Sequence, residues 1–134
     1  MLILALAADF LWLTCQTNIR GNDIACNVGG SKVPSGVKTI PANEGDTIKV
    51  QWDMSTHPGP ITHMLFGPVA DASRATGIGS WFKIDEVNYV DGKWANEIME
   101  TQNMTYSFKL PRGLQSGEYL VRHPLPHTPS PCQT

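Results

Sequence analysis

The sequence predicts an all-β protein built as an antiparallel sandwich or barrel, and three observations carry the prediction. Apolar and polar residues alternate in several short runs, as they do in strands with one face buried. Those runs are separated by Gly, Pro, Asn and Asp, the residues of tight turns. A helical period is nearly absent from the 134 residues, the exception being "WANEIME", long enough for one or two turns. The length fits one domain able to bury its own core, and 41% hydrophobic with 16% charged residues is a composition that folds.

Taken in order, "DTIKVQW" puts Ile48, Val50 and Trp52 on one face and Thr47, Lys49 and Gln51 on the other, directly after the polar turn "ANEGD". After "STHPGP", Ile61, His63 and Leu65 share one face and Thr62, Met64 and Phe66 the other, which predicts cover on both sides. In "SWFKIDEV", Trp81, Lys83 and Asp85 oppose Phe82, Ile84 and Glu86, and the β-branched and aromatic content favours a strand. "TYSFKL" aligns Tyr106, Phe108 and Leu110 on one face and ends at Pro111. "GEYLVR" adds a strand after the turn "RGLQSG", making about six strands between Ile24 and Arg122.

The two ends read differently from the middle. "HPLPHTPSPCQT" carries prolines at 124, 126, 129 and 131, which exclude a regular element. The opening "MLILALAADFLWLTC" is apolar but has no basic n-region and is interrupted by Asp9, so it matches neither a membrane span nor a standard secretion leader. A buried strand or a misplaced gene start suits it better. The expected division is an atypical segment 1–20, a sandwich 21–123 and a Pro-rich tail 124–134.

Composition removes several function classes. A net charge of -2 without any basic cluster excludes a nucleic-acid footprint, and no membrane partner is expected. Cys15, Cys26 and Cys132 allow at most one internal disulfide, and without a CxxC pair neither a zinc ribbon nor a thioredoxin-type site can be built.

Six motifs, "NDIACNVGG", "GDTIKVQWDMSTHPGPI", "WFKIDE", "GKWANEIM", "YSFKLP" and "LQSGEYLVRH", follow one another with compatible spacings from about Asn18 to His123. Together they resemble the fungal cellulose-active lytic polysaccharide monooxygenases, auxiliary activity family nine, formerly glycoside hydrolase family sixty-one. The resemblance implies an immunoglobulin- or fibronectin-like antiparallel β-sandwich, incomplete here at its N- and C-terminal strands. It also implies one copper ion held by a histidine brace, an external electron donor, cellulose or a related plant cell-wall glucan as substrate, secretion, and a monomer. His57, in "STHPGP", stands where the family has the second histidine of that brace. Imidazole nitrogen suits copper in both of its redox states, and a turn stiffened by Pro-Gly-Pro suits a fixed ligand.

Two departures from the family pattern bear on activity. No histidine precedes His57, so the N-terminal arm of the brace has no residue here. After "YLVRH" the chain reads "PLPHTPSPCQT", where His127 and Gln133 have second-sphere residue types at the wrong spacing and no tyrosine follows Tyr119. Activity is therefore expected to be impaired or absent in the chain as written. By the same resemblance Cys26 stands at a bridged position, with Cys132 as its partner here and Cys15 as a competitor.

Each singled-out residue also has a plainer reading. His57 alone is a surface imidazole on a turn, and His63 and His123 are expected to be structural. Flat aromatic rings invite a sugar-stacking role, but Trp52, Trp81 and Trp94 fall in positions that predict burial, with Trp12 unassigned. Asn103 heads the sequon "NMT", a glycosylation acceptor if the chain is secreted. Among Asp85, Glu86, Glu97 and Glu100, adjacent residues face opposite ways, which argues against a hydrolytic carboxylate pair. The alternative functions are a non-catalytic polysaccharide-binding or cell-wall-associated module and a metal-free hydrolase accessory protein.

Overall fold

The computed structural model of the chain describes residues 2–6, 20–22, 38–52 and 58–123. Among these are β1 (Leu2–Leu6), β2 (Thr39–Ala42), β3 (Thr47–Gln51), β4 (Ile61–Val69), β5 (Phe82–Val87), β6 (Tyr89–Val90), β7 (Lys93–Trp94), α1 (Ala95–Thr101), β8 (Thr105–Lys109) and β9 (Gly117–Arg122). The all-β reading holds. Six strands of four or more residues lie in the predicted interval, and the "WANEIME" segment supplies the helix, seven residues long.

Among the described residues, the largest sheet has five strands in the order β2-β1-β9-β4-β5, a second pairs β3 with β8 and a small third pairs β6 with β7. Among the described residues, all but one of the strand pairs are antiparallel. The exception is β1, which runs parallel to β9 with Leu4 opposite Tyr119, and antiparallel to β2 on its other side. Leu2–Leu6, from the stretch expected to stand apart, thus forms an interior strand of the larger sheet. β2 escaped the sequence reading because Pro41 breaks its ladder, and its edge position is where a strand proline is tolerated.

The core joins the five-stranded sheet to the β3–β8 pair. Val50 from β3, Leu65 from β4, Phe108 from β8 and Tyr119 and Val121 from β9 meet there with Ala42 and Leu110. β4 alternates as expected, Ile61, His63 and Leu65 being fully buried and Thr62, Met64 and Phe66 half-buried. In β9, Tyr119, Leu120 and Val121 are all buried. That is possible because a second layer of Ala72, Trp81, Phe66 and Val69 covers the outer face at Leu120. The Glu118 carboxylate accepts the Ala72 N–H at 2.6 Å and pins this cover in place.

Candidate functional site

The site is built around the bend Pro58-Gly59-Pro60, which leads into β4. Gly59 is buried, and its N–H donates to Asn96 Oδ1 at 2.7 Å. Its carbonyl accepts the Asn96 backbone N–H at 3.3 Å. One asparagine in the first turn of α1, only 1% exposed, therefore closes both backbone polar groups of the glycine. The helix is held in turn: the Ala95 N–H donates to the Asn88 carbonyl at 2.8 Å, and the Glu97 carboxylate accepts the Trp94 N–H at 2.7 Å. Ile61, directly after the bend, packs in one cluster with Ala95 and Met99 of the helix, all three at 2% exposure or less. Bend and helix thus share one piece of core.

Further along β4, His63 centres a largely buried aromatic and polar cluster. The His63 ring stacks on Phe108 with centroids 3.9 Å apart and on Tyr106 at 5.2 Å, and meets His123 edge-on at 4.6 Å. His63 Nδ1 and the Tyr106 hydroxyl both reach Asp85 Oδ2, each at 3.0 Å. Burial pulls the His63 pKa down, and the hydrogen bond and charge of Asp85 only partly restore it. The ring is therefore neutral at pH 7, and Nδ1–H donates to the carboxylate in a charge-assisted bond rather than an ion pair. Burial, then the nearby Asp85, push the Tyr106 phenol up to about 12. His123 is pushed down to about 3, by burial first and then by His63. Among the described residues, its two ring nitrogens and His63 Nε2 have no hydrogen-bond partner. Both histidines are enclosed as expected, with His63 at 0% and His123 at 8% exposure.

The other expected residues are distributed as follows. His57, Cys15, Cys26, Cys132, His127, Gln133 and Trp12 lie outside the described residues. Asn103 is exposed in the turn between α1 and β8 with φ 55°, a backbone conformation asparagine tolerates. The carboxylates are occupied separately: Asp85 in the cluster, Glu86 with Lys83, and Glu97 at the helix start. Trp52 and Trp81 are half-buried, but Trp94 is 36% exposed, so its expected burial is corrected. The cause is the two-residue turn Asp91-Gly92, both at positive φ, which turns Trp94 back against exposed Tyr89 with ring centroids 5.1 Å apart.

Sequence reasoning missed Asn96 entirely, since a polar residue in a short helix carries no sign that it will be buried. It also did not join Asp85 to His63 and Tyr106. The shared face of His63 with Ile61 and Leu65, and of Tyr106 with Phe108, was the available clue.

Among the described residues there is no group of three or more His, Cys, Asp or Glu side chains placed to hold a metal ion. Imidazole nitrogen is a donor type suited to copper.

A β-sandwich with a doubly anchored Pro-Gly-Pro bend leading into β4 sets the class of protein. Residues 8–125 match the family model of Auxiliary Activity family 9 (formerly GH61), and the chain belongs to that family. It is 64% identical over 105 residues to AA9 family lytic polysaccharide monooxygenase B of Botryotinia fuckeliana, covering 78% of this chain and 33% of that protein. It is 42% identical over 110 residues to AA9 family lytic polysaccharide monooxygenase A of Gloeophyllum trabeum, covering 75% and 34%. Among solved structures, the extended catalytic domain of H. jecorina LPMO9A superimposes with a TM-score of 0.58 at 31% identity, over 76% of this chain and 43% of that one. HiLPMO9B has the same fold, with a TM-score of 0.64 over 77% of this chain and 49% of that one. The chain spans about a third of the length of these two sequence relatives.

Proposed function

We propose that this chain carries part of a copper-dependent oxidative site for polysaccharide cleavage, with His57 as a metal ligand and cellulose or a related plant cell-wall glucan as substrate. The observation that carries the reading is the double hydrogen bond between Gly59 and Asn96, which holds the bend two residues beyond His57. Family membership supplies the chemistry, since the relatives it matches are named lytic polysaccharide monooxygenases.

Copper, when bound, would supply the redox chemistry with oxygen, fed by an external electron donor. The protein's own part is to hold and orient. Pro58 and Pro60 have φ fixed by their rings, and buried His63 and His123 with half-buried Asp85 and Tyr106 pack beside Phe108 of the core. Within these 134 residues His57 is the imidazole placed for the metal, so this polypeptide by itself binds copper weakly and cleaves slowly or not at all. The same reading makes the protein extracellular and monomeric, with Cys26 bridged to Cys132 and Asn103 glycosylated.

The test is copper binding to the full chain, followed by incubation with cellulose and a reductant and mass spectrometry of the soluble sugars. Copper binding that disappears in His57→Ala supports the reading, and oxidised oligosaccharides extend it to activity. Copper affinity unchanged in His57→Ala refutes it. A non-catalytic polysaccharide-binding module is the second reading. Retention on cellulose without copper binding or oxidised product would select it.

A further inference from the structure

We propose that Tyr89 and Trp94 form a sugar-binding subsite that stacks one pyranose unit of a soluble β-glucan chain. The inference rests on a glucan being the substrate and is independent of His57 and of copper.

The predicted burial of Trp94 argues against sugar stacking, and the structure removes that obstacle: the side chain is 36% exposed, and Tyr89 beside it 58%. The two other tryptophans among the described residues are engaged. Trp81 carries the Arg122 guanidinium over its ring at 4.7 Å, lies against Phe66 and donates its indole N–H to the Gly77 carbonyl, and Trp52 meets the His123 ring edge-on.

Tyr89 and Trp94 are directly opposite each other in the β6–β7 hairpin, so their side chains share one face while Val90 and Lys93 take the other. The mount is firm at both ends. The two-residue turn Asp91-Gly92 closes the hairpin, and at its base the Glu97 carboxylate holds the Trp94 N–H at 2.7 Å and the Asn88 carbonyl holds the Ala95 N–H at 2.8 Å. Ala95 is itself buried against Ile61 and Met99, so the aromatic pair stands on the core. A ligand meeting it has little side-chain ordering to offset.

Shape, size and charge decide what fits. The rings meet at 68° with centroids 5.1 Å apart, which makes a corner instead of a slab. A β-linked glucose unit keeps its ring substituents equatorial, so its faces are apolar C–H surfaces and its edge is hydroxylic; one face can stack on one wall of the corner. A corner takes a single unit of a free chain, whereas the flat face of a crystal calls for coplanar rings. Two exposed rings fall well short of the about 800 Å² that each partner of a stable protein complex buries, which disfavours a protein occupant. Asp91 and Lys93, exposed at the turn, are of opposite sign, and the Glu97 carboxylate is taken by the Trp94 N–H. The ligand these features select is neutral, flat-faced and polar at its edge.

The test titrates the full chain, kept free of copper by a chelator, with cellohexaose and follows indole and backbone amide resonances by NMR. The Trp94 indole and the Tyr89 and Trp94 amides should shift, and the Trp52 and Trp81 indoles should not. Trp94→Ala or Tyr89→Ala should weaken binding roughly tenfold or more, as loss of an aromatic anchor does. Ile40→Ala, at another exposed apolar position, should leave it unchanged, with protected Leu65 and Val121 amides showing that each variant is folded. Native affinity in folded Trp94→Ala and Tyr89→Ala overturns the subsite and leaves glucan as the ligand. Retention on insoluble cellulose without any cellohexaose shift does the same, and neither retention nor shift removes both the subsite and the glucan reading; the copper reading is decided separately by His57→Ala. A Trp94 indole that shifts with protein concentration alone, and not with cellohexaose, assigns the corner to a second copy of the chain and also overturns the proposal.

Discussion

Acidification from pH 8 to pH 5 is expected to destabilise this protein through His123. In the folded state burial and the neighbouring His63 hold its pKa at about 3, whereas an unfolded histidine titrates near 6.5. Above pH 6.5 the ring is neutral in both states and its contribution is constant. As pH falls below 6.5 the unfolded chain takes up a proton that the folded chain refuses, so stability declines at about 1.4 kcal/mol per pH unit until the folded pKa is reached. By pH 5 the loss from His123 comes to about 2 kcal/mol. His63 acts in the same direction with a smaller share, because Asp85 partly restores its basicity. Asp71 and Glu86, whose pKa values are lowered by Ser73 and Lys83 respectively, are charged in both states over most of this window and enter chiefly below it. With a urea dependence of about 1–3 kcal/mol per molar, the midpoint of urea unfolding should drop by roughly 1 M between pH 8 and pH 5. His123→Gln removes the titrating ring, so its midpoint should fall distinctly less over the same interval, whatever its absolute stability. A native midpoint that is flat or rises on acidification, or a His123→Gln variant with the full native slope, would refute the burial argument.

Three further outcomes follow from contacts in the sandwich. Gly67→Ala should destabilise by about 2–3 kcal/mol in urea unfolding, because Gly67 has φ 142° and an added Cβ would sit 2.8 Å from both the Glu118 carbonyl and the Tyr119 ring. Asp85→Ala should cost about 2–4 kcal/mol, since it strands both His63 Nδ1 and the Tyr106 hydroxyl, and Tyr106→Phe only about 1 kcal/mol; equal losses would show that Asp85 does not bridge the two. Leu65→Ala, at a fully buried position, should lose about 2–5 kcal/mol, whereas Ile40→Ala, half exposed on an edge strand, should change stability by no more than about 0.5 kcal/mol in the same assay.

The limits of the sequence reading follow particular residues. Period-two patterning located β3, β4, β8 and β9 because their inward positions, Val50, Leu65, Phe108 and Val121, are large and apolar beside polar neighbours. It also put His63 on the buried face of β4. It missed β2, where Pro41 masks the pattern, and misjudged Trp94, whose exposure is set by a two-residue turn rather than by its hydrophobicity. The bend after His57 was legible as rigid from its two prolines, but its anchor was not.

What the amino-acid order determined alone is therefore local: which runs alternate, where turns interrupt them, and how Pro58 and Pro60 stiffen the approach to β4. Only the tertiary structure decided that β1 enters the sheet parallel to β9, that Asp85 serves both His63 and Tyr106, and that Asn96 reaches Gly59. Alternation and backbone restriction act between neighbours in the chain and leave a visible period. Pairings across 20 to more than 100 residues arise from packing once distant segments are brought together, and a single polar side chain buried by that packing carries no period to announce it.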